Sequence, residues 1–69
     1  MANEVQNLRL QKGITQEELA RAVGVSRQTV IAIEGGNYTP SVLLAIKIAQ
    51  FFKTSVEKIF KIAYDKKRS

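Results

Sequence analysis

The stretch Thr15-Gln16-Glu17-Glu18-Leu19-Ala20-Arg21-Ala22-Val23-Gly24-Val25-Ser26-Arg27-Gln28-Thr29-Val30-Ile31-Ala32-Ile33-Glu34 decides how this chain folds. Thr15, followed three residues later by Glu18, fits a capping box: the hydroxyl accepts a free N–H of the first helical turn while the carboxylate reaches back to the N–H of Thr15. A helix therefore starts at Gln16. It should stop near Val23, because Gly24 is suited to the positive φ of a turn, and Ser26 then offers its oxygen as the N-cap of the next helix.

Two short helices joined by so tight a turn pack closely only where the first is narrow, and Ala20 is the small residue that permits it. Counting from Ala20, Gly24 lies four positions on, Val30 ten and Ile33 thirteen, with Leu19, Val23 and Val25 completing an apolar set beneath the pair. This spacing is the helix-turn-helix pattern.

Further helices flank the pair. A first helix is expected from about Asn3 to Gln11, with Val5 and Leu8 on one face and Leu10 pointing away, ending before Lys12-Gly13. Gly35-Gly36 ends the third helix, and Asn37-Tyr38-Thr39-Pro40 forms a loop. Ser41 can cap a fourth helix running to about Lys53, whose Val42, Leu43, Leu44, Ile46, Ile48, Ala49, Phe51 and Phe52 make it apolar nearly all round and predict it as the buried centre. Thr54-Ser55-Val56-Glu57 is a second capping-box candidate, opening a fifth helix on which Val56, Ile59, Phe60 and Ala63 form an i, i+3, i+4, i+7 stripe. No run alternates apolar and polar residues long enough to argue for a strand, so the fold class is all-α, with a domain over residues 1–64 and a short basic tail over 65–69.

Composition narrows the chemistry. At 69 residues, 45% hydrophobic and 25% charged, the chain fits one small domain. Cysteine and histidine are both absent, which excludes disulfides, thiolate or imidazole metal sites, and the catalytic schemes that need those side chains; no metal or other cofactor is expected. Any catalysis would rest on carboxylates, and the adjacent Glu17 and Glu18 diverge on a helix, so no enzyme is expected.

The net charge is +5, but it is unevenly placed. Up to residue 46, Arg9, Lys12, Arg21 and Arg27 balance Glu4, Glu17, Glu18 and Glu34, whereas afterwards Lys47, Lys53, Lys58, Lys61, Lys66, Lys67 and Arg68 outnumber Glu57 and Asp65. A basic excess suits a polyanionic partner. The most apolar stretch, Val42 to Phe52, is interrupted by Lys47 and Gln50 and falls short of the roughly 20 residues of a membrane span. Met1-Ala2-Asn3-Glu4 does not read as the start of a secretory signal, and a cytoplasmic location is the expectation.

The chain resembles the Cro and phage-repressor family of helix-turn-helix DNA-binding proteins, also called the Xre type. The resemblance covers roughly Glu4 to Phe60 and rests on Leu8-Arg9, on Gly13-Ile14-Thr15-Gln16-Glu17-Glu18-Leu19-Ala20, on Gly24-Val25-Ser26-Arg27-Gln28-Thr29-Val30, on Ile33-Glu34, on Pro40-Ser41 and on Ser55-Val56-Glu57-Lys58-Ile59-Phe60. It implies a compact five-helix domain of the lambda-repressor-like type, with helices two and three as the helix-turn-helix and the third in the major groove. It also implies contact with double-stranded DNA from Gln16, Ser26, Arg27, Gln28, Thr29, Ala32, Asn37, Tyr38 and Thr39. Gln16 matches a position that contacts phosphate and braces a recognition-helix side chain, and Asn37 to Thr39 match the backbone-contacting loop. Arg9 and Glu34 match an ion pair that bridges the first helix to the end of the third. Gly35 departs from the family, which usually carries a charged or amide residue there.

The helical wheel of the third helix agrees with that role. At about 100° per residue, Ser26, Thr29, Val30 and Ile33 cluster on one side, leaving Arg27, Gln28, Ile31 and Ala32 opposite. Arginine can donate a bidentate pair to guanine O6 and N7, and glutamine can pair with adenine N6 and N7. The expected function is a transcriptional regulator, most simply a repressor, binding a palindromic operator as a homodimer. Val56 and Ile59 close the core, while Phe60, Ile62, Ala63 and Tyr64 are the expected dimer surface. The alternative is an antitoxin-like or other protein-interaction module on the same scaffold, supported by Leu10, Ile31 and the apolar segment near Tyr64. No small-molecule effector is evident.

Overall fold

Each of the three central helices opens on a hydroxyl that caps it. In the computed structural model, which describes residues 2–61, the Thr15 hydroxyl accepts from the Glu18 N–H at 3.0 Å and the Glu18 carboxylate accepts from the Thr15 N–H at 2.8 Å. Ser26 accepts from the Thr29 N–H and Ser41 from the Leu44 N–H. These caps satisfy donors that a helix start otherwise leaves to water.

The elements in chain order are β1 (Ala2–Asn3), α1 (Val5–Lys12), α2 (Gln16–Val23), α3 (Arg27–Glu34), α4 (Val42–Phe51), α5 (Val56–Ile59) and β2 (Phe60–Lys61). Gly24 ends α2 at φ 77°, which sets the direction of the turn into α3.

The core lies beneath the α2–α3 pair. Leu19, Ala20 and Val23 of α2 meet Val30 and Ile33 of α3, and α4 closes the underside with Leu44, Ala45, Ile48 and Ala49. Val5, Ile59 and Phe60 complete the cluster, with Leu8, Ile14, Val25 and Val56 half-buried against it. Ala20 is 2% exposed, so a side chain larger than a methyl has no room there. Leu10 faces away, as its place on the wheel requires.

Several expectations are corrected. The first helix begins at Val5, because Asn3 belongs to β1, which pairs antiparallel with β2 in the register Ala2 to Lys61 and Asn3 to Phe60. The helical body thus carries a ribbon two residues long on each side. The fifth helix is one turn only and stops at Ile59, because Phe60 takes extended backbone to join that ribbon; Ser55 makes no side-chain cap bond, so the second capping box does not form. The apolar stripe predicted to reach Ala63 therefore ends as helix at Ile59.

The fourth helix stops at Phe51 rather than near Lys53, which sits in the left-handed region at φ 57°. Nor is that helix buried all round: Val42, Leu43 and Ile46 are exposed, because α2 and α5 cover only the opposite side. The expected boundary between residues 64 and 65 lies outside the described residues.

Candidate nucleic-acid interface

The third helix turns a mixed face to solvent. Val30 and Ile33, each 1% exposed, anchor it in the core, which leaves Arg27, Gln28 and Ile31 exposed and Ala32 half-buried on the other side. Arg27 and Gln28 stand in the first turn, where the unpaired N–H groups and the positive end of the helix dipole also lie. Ser26 and Thr29 occupy a different place: their hydroxyl oxygens are 3.0 Å apart, and Ser26 accepts the Thr29 N–H, so both groups close the cap of α3.

The far end of α3 is held by side chains from the N-terminal part of the chain. The Arg9 Nε donates to Glu34 Oε2 at 2.6 Å, and its Nη2 donates to Oε1 at 3.2 Å. A third nitrogen, Nη1, donates to the Ile14 carbonyl at 2.9 Å, fastening the end of α1 to the approach to α2. Gln16 donates its Nε2 to the same Glu34 Oε1 at 3.1 Å, so the start of α2 and the end of α3 share one carboxylate.

The Arg9 and Glu34 side chains are only 10% and 4% exposed. Hydrogen bonding to Glu34 raises the Arg9 pKa above its already high ordinary value, against the lowering that burial imposes and with the Coulombic attraction of Glu34 adding to it. The guanidinium is therefore a permanent charge whose donors are turned inward.

Asn3 is the brace that the sequence reading missed. Its Nδ2 donates to the Ile33 carbonyl at 2.8 Å and its Oδ1 accepts from the Val5 N–H at 3.1 Å, so one amide side chain both satisfies the first N–H of α1 and holds the last turn of α3. An asparagine just ahead of a helical pattern is a capping signal, but placing Asn3 inside the first helix hid it.

Beyond α3, Asn37, Tyr38 and Thr39 are all exposed, in a loop set by the Asn37 N–H donating to the Ala32 carbonyl and by Gly36 at φ 78°. Gly35 is in ordinary right-handed backbone, so the turn depends on the second glycine of the pair. Lys47, Lys53 and Lys58 are exposed cations, whereas Lys12 lies over the Phe51 ring at 5.3 Å from its centroid. Arg21 and Glu17 approach to 3.9 Å in open solvent, where such a pair contributes little.

Phe60 is 7% exposed and belongs to the core, which leaves it almost no surface for another chain. Ile62, Ala63 and Tyr64 lie outside the described residues. Among the described residues, no group of three or more His, Cys, Asp or Glu side chains could hold a metal ion, and no helix is long and apolar enough to cross a membrane.

Comparison with known proteins agrees with this architecture. The helix-turn-helix family model matches residues 5–59. An HTH-type transcriptional regulator of Methanocaldococcus jannaschii is 53% identical over 60 residues, covering 87% of this chain and 91% of the relative. The HTH-type transcriptional regulator YgzD of Bacillus subtilis is 52% identical over 60 residues, with the same coverage of each chain. The cryptic phage CTXphi transcriptional repressor RstR of Vibrio cholerae is 28% identical over 58 residues, covering 84% of this chain and 52% of its own length. With the capped α2–α3 pair, the small Ala20 at its crossing and a family match spanning all five helices, the chain belongs to the helix-turn-helix family, in its Cro and phage-repressor or Xre-type branch.

Proposed function

We propose that the chain is a sequence-specific DNA-binding transcription regulator that acts in the cytoplasm as a homodimer on a palindromic operator, and that it represses by occluding polymerase. The observation that carries this reading is the first turn of α3. Arg27 and Gln28 stand exposed on a helix whose opposite face is locked into the core and whose far end is clamped by Arg9, Gln16 and Asn3. A clamped helix whose outer face presents the paired donors of an arginine and the donor and acceptor of a glutamine amide is what base readout in the major groove requires. The relatives named as HTH-type transcriptional regulators and as a transcriptional repressor support the same assignment.

In this reading Arg27 and Gln28 select bases, with Ser26, Thr29 and Ala32 beside them. Gln16, the N-termini of α2 and α4, and Asn37, Tyr38 and Thr39 position the backbone. Arg9 and Glu34 set the pose of α3 without touching DNA. Because residues up to 46 are electrically balanced, the later lysines supply the long-range attraction. The domain runs over 1–64 with a basic tail over 65–69, and Ile62, Ala63 and Tyr64 supply the dimer contact. No catalytic role and no small-molecule effector are assigned.

Selection from a random duplex pool tests the proposal. The expected product is a palindrome with half-sites spaced by about 10 to 10.5 base pairs or a multiple, bound at least about 1,000-fold tighter than random DNA, with affinity falling as salt rises. Retention that is indifferent to sequence and to salt would instead favour an antitoxin-like protein-interaction module. One observation speaks for that second reading: the open apolar face of α4 formed by Val42, Leu43 and Ile46.

A further inference from the structure

The outer face of α3 has two chemically different halves. Arg27 and Gln28 bring hydrogen-bonding groups in the first turn, and one turn later Ile31 and Ala32 bring only methyl and methylene groups. Ile31 is 42% exposed while its neighbours Val30 and Ile33 are each 1% exposed, so the core is filled without it. Nor does it serve the helix, since β-branched residues are weaker helix formers than the long polar side chains that usually occupy solvent-facing positions. Its χ1 is nearly fixed on a helix, so its methyl groups are held in place before any partner arrives and lose little freedom on contact.

Residues four apart on a helix are separated by about 6 Å along its axis, and successive base pairs by about 3.4 Å. With Arg27 and Gln28 on base edges, Ile31 and Ala32 reach base pairs one or two steps further along. On a major-groove edge, the apolar group that a hydrocarbon side chain can contact is the C5 methyl of thymine.

We propose that Ile31 is a specificity-determining residue that recognises a pyrimidine C5 methyl, with the small Ala32 beside it leaving room for the groove edge to approach. The half-site then carries a thymine next to the base pairs read by Arg27 and Gln28. This rests on the DNA-binding reading above and adds to it a contact that carries no hydrogen bond.

Replacing thymine by deoxyuridine removes the methyl and nothing else, so the contact can be tested on the DNA without altering the protein. Each thymine of a selected half-site is replaced singly, and the duplexes are titrated at fixed salt with the unaltered chain and with Ile31→Ala. The expected result is one position at which the unaltered chain loses about threefold to tenfold in affinity, while Ile31→Ala binds the two duplexes equally. At that same position, 5-methylcytosine binds more tightly than cytosine. The inference is overturned if the selected half-site lacks thymine there, if the unaltered chain is indifferent to deoxyuridine at every position, or if Ile31→Ala keeps the full difference. Failure of the unaltered chain to prefer any selected duplex over random DNA would overturn the regulator reading itself, whereas tight, selective binding that ignores the methyl overturns only the role of Ile31.

Discussion

The Arg9 guanidinium grips the Glu34 carboxylate through two nitrogens, at 2.6 and 3.2 Å, and thereby ties the first helix to the end of the third. Both side chains are nearly out of water, so the pair fixes the pose of α3 more than it adds net stability. Glu34→Ala strands a buried guanidinium and leaves Gln16 without its acceptor; we expect a loss of about 3 to 5 kcal/mol in denaturant unfolding. Arg9→Met combined with Glu34→Leu removes both charges and should recover most of that loss. Because its folded pKa is raised, the charge of Arg9 and the stability that depends on it are fully present below its ordinary pKa and are lost only as pH climbs past the raised value.

The two candidate capping boxes separate in the structure, and their variants should separate in stability. Thr15→Ala removes an acceptor that holds the Glu18 N–H and should cost about 1 kcal/mol, read as a lower denaturant midpoint at unchanged slope. Ser55→Ala removes no cap bond and should leave the midpoint within about 0.5 kcal/mol of the unaltered chain. Equal effects at the two sites would contradict the assignment of the caps.

At the crossing of α2 and α3, Ala20→Leu forces extra methylene and methyl groups into a site that is 2% exposed. The expected cost is roughly 1 to 3 kcal/mol, seen as a lower melting temperature. A melting temperature equal to that of the unaltered chain would show that the crossing is looser than the geometry requires.

The legible parts of the fold were those set by local chemistry. Thr15 with Glu18, Gly24, Ser26 and Ser41 act within a few residues of themselves, so the starts of α2, α3 and α4 follow from the sequence alone. The parts not legible depend on distant partners. Strands of two residues are too short to show alternation, and Asn3 joins β1 only because Phe60 arrives beside it. That pairing pulls Phe60 out of helical backbone and cuts the fifth helix short, against a stripe that reads as helix through Ala63.

An apolar composition likewise did not reveal which side of α4 would be covered; Leu44 and Ile48 face α2 and the core, and Val42 and Leu43 do not. At the interface, Arg27 and Gln28 follow from helical periodicity once Val30 and Ile33 are placed inward. The hold of Asn3 on the Ile33 carbonyl spans 30 residues and has no local signature beyond an asparagine ahead of a helix.

The most direct test of the central claim, that the outer face of α3 reads base pairs, is the ratio of affinities for a selected operator and random DNA, measured for Arg27→Ala and Gln28→Ala beside their thermal unfolding. Each variant is expected to lose discrimination at its own base pair by about 1 to 3 kcal/mol while the melting temperature stays nearly unchanged, because both side chains are exposed. An unaltered ratio in both variants, or unfolding in place of lost discrimination, would contradict it.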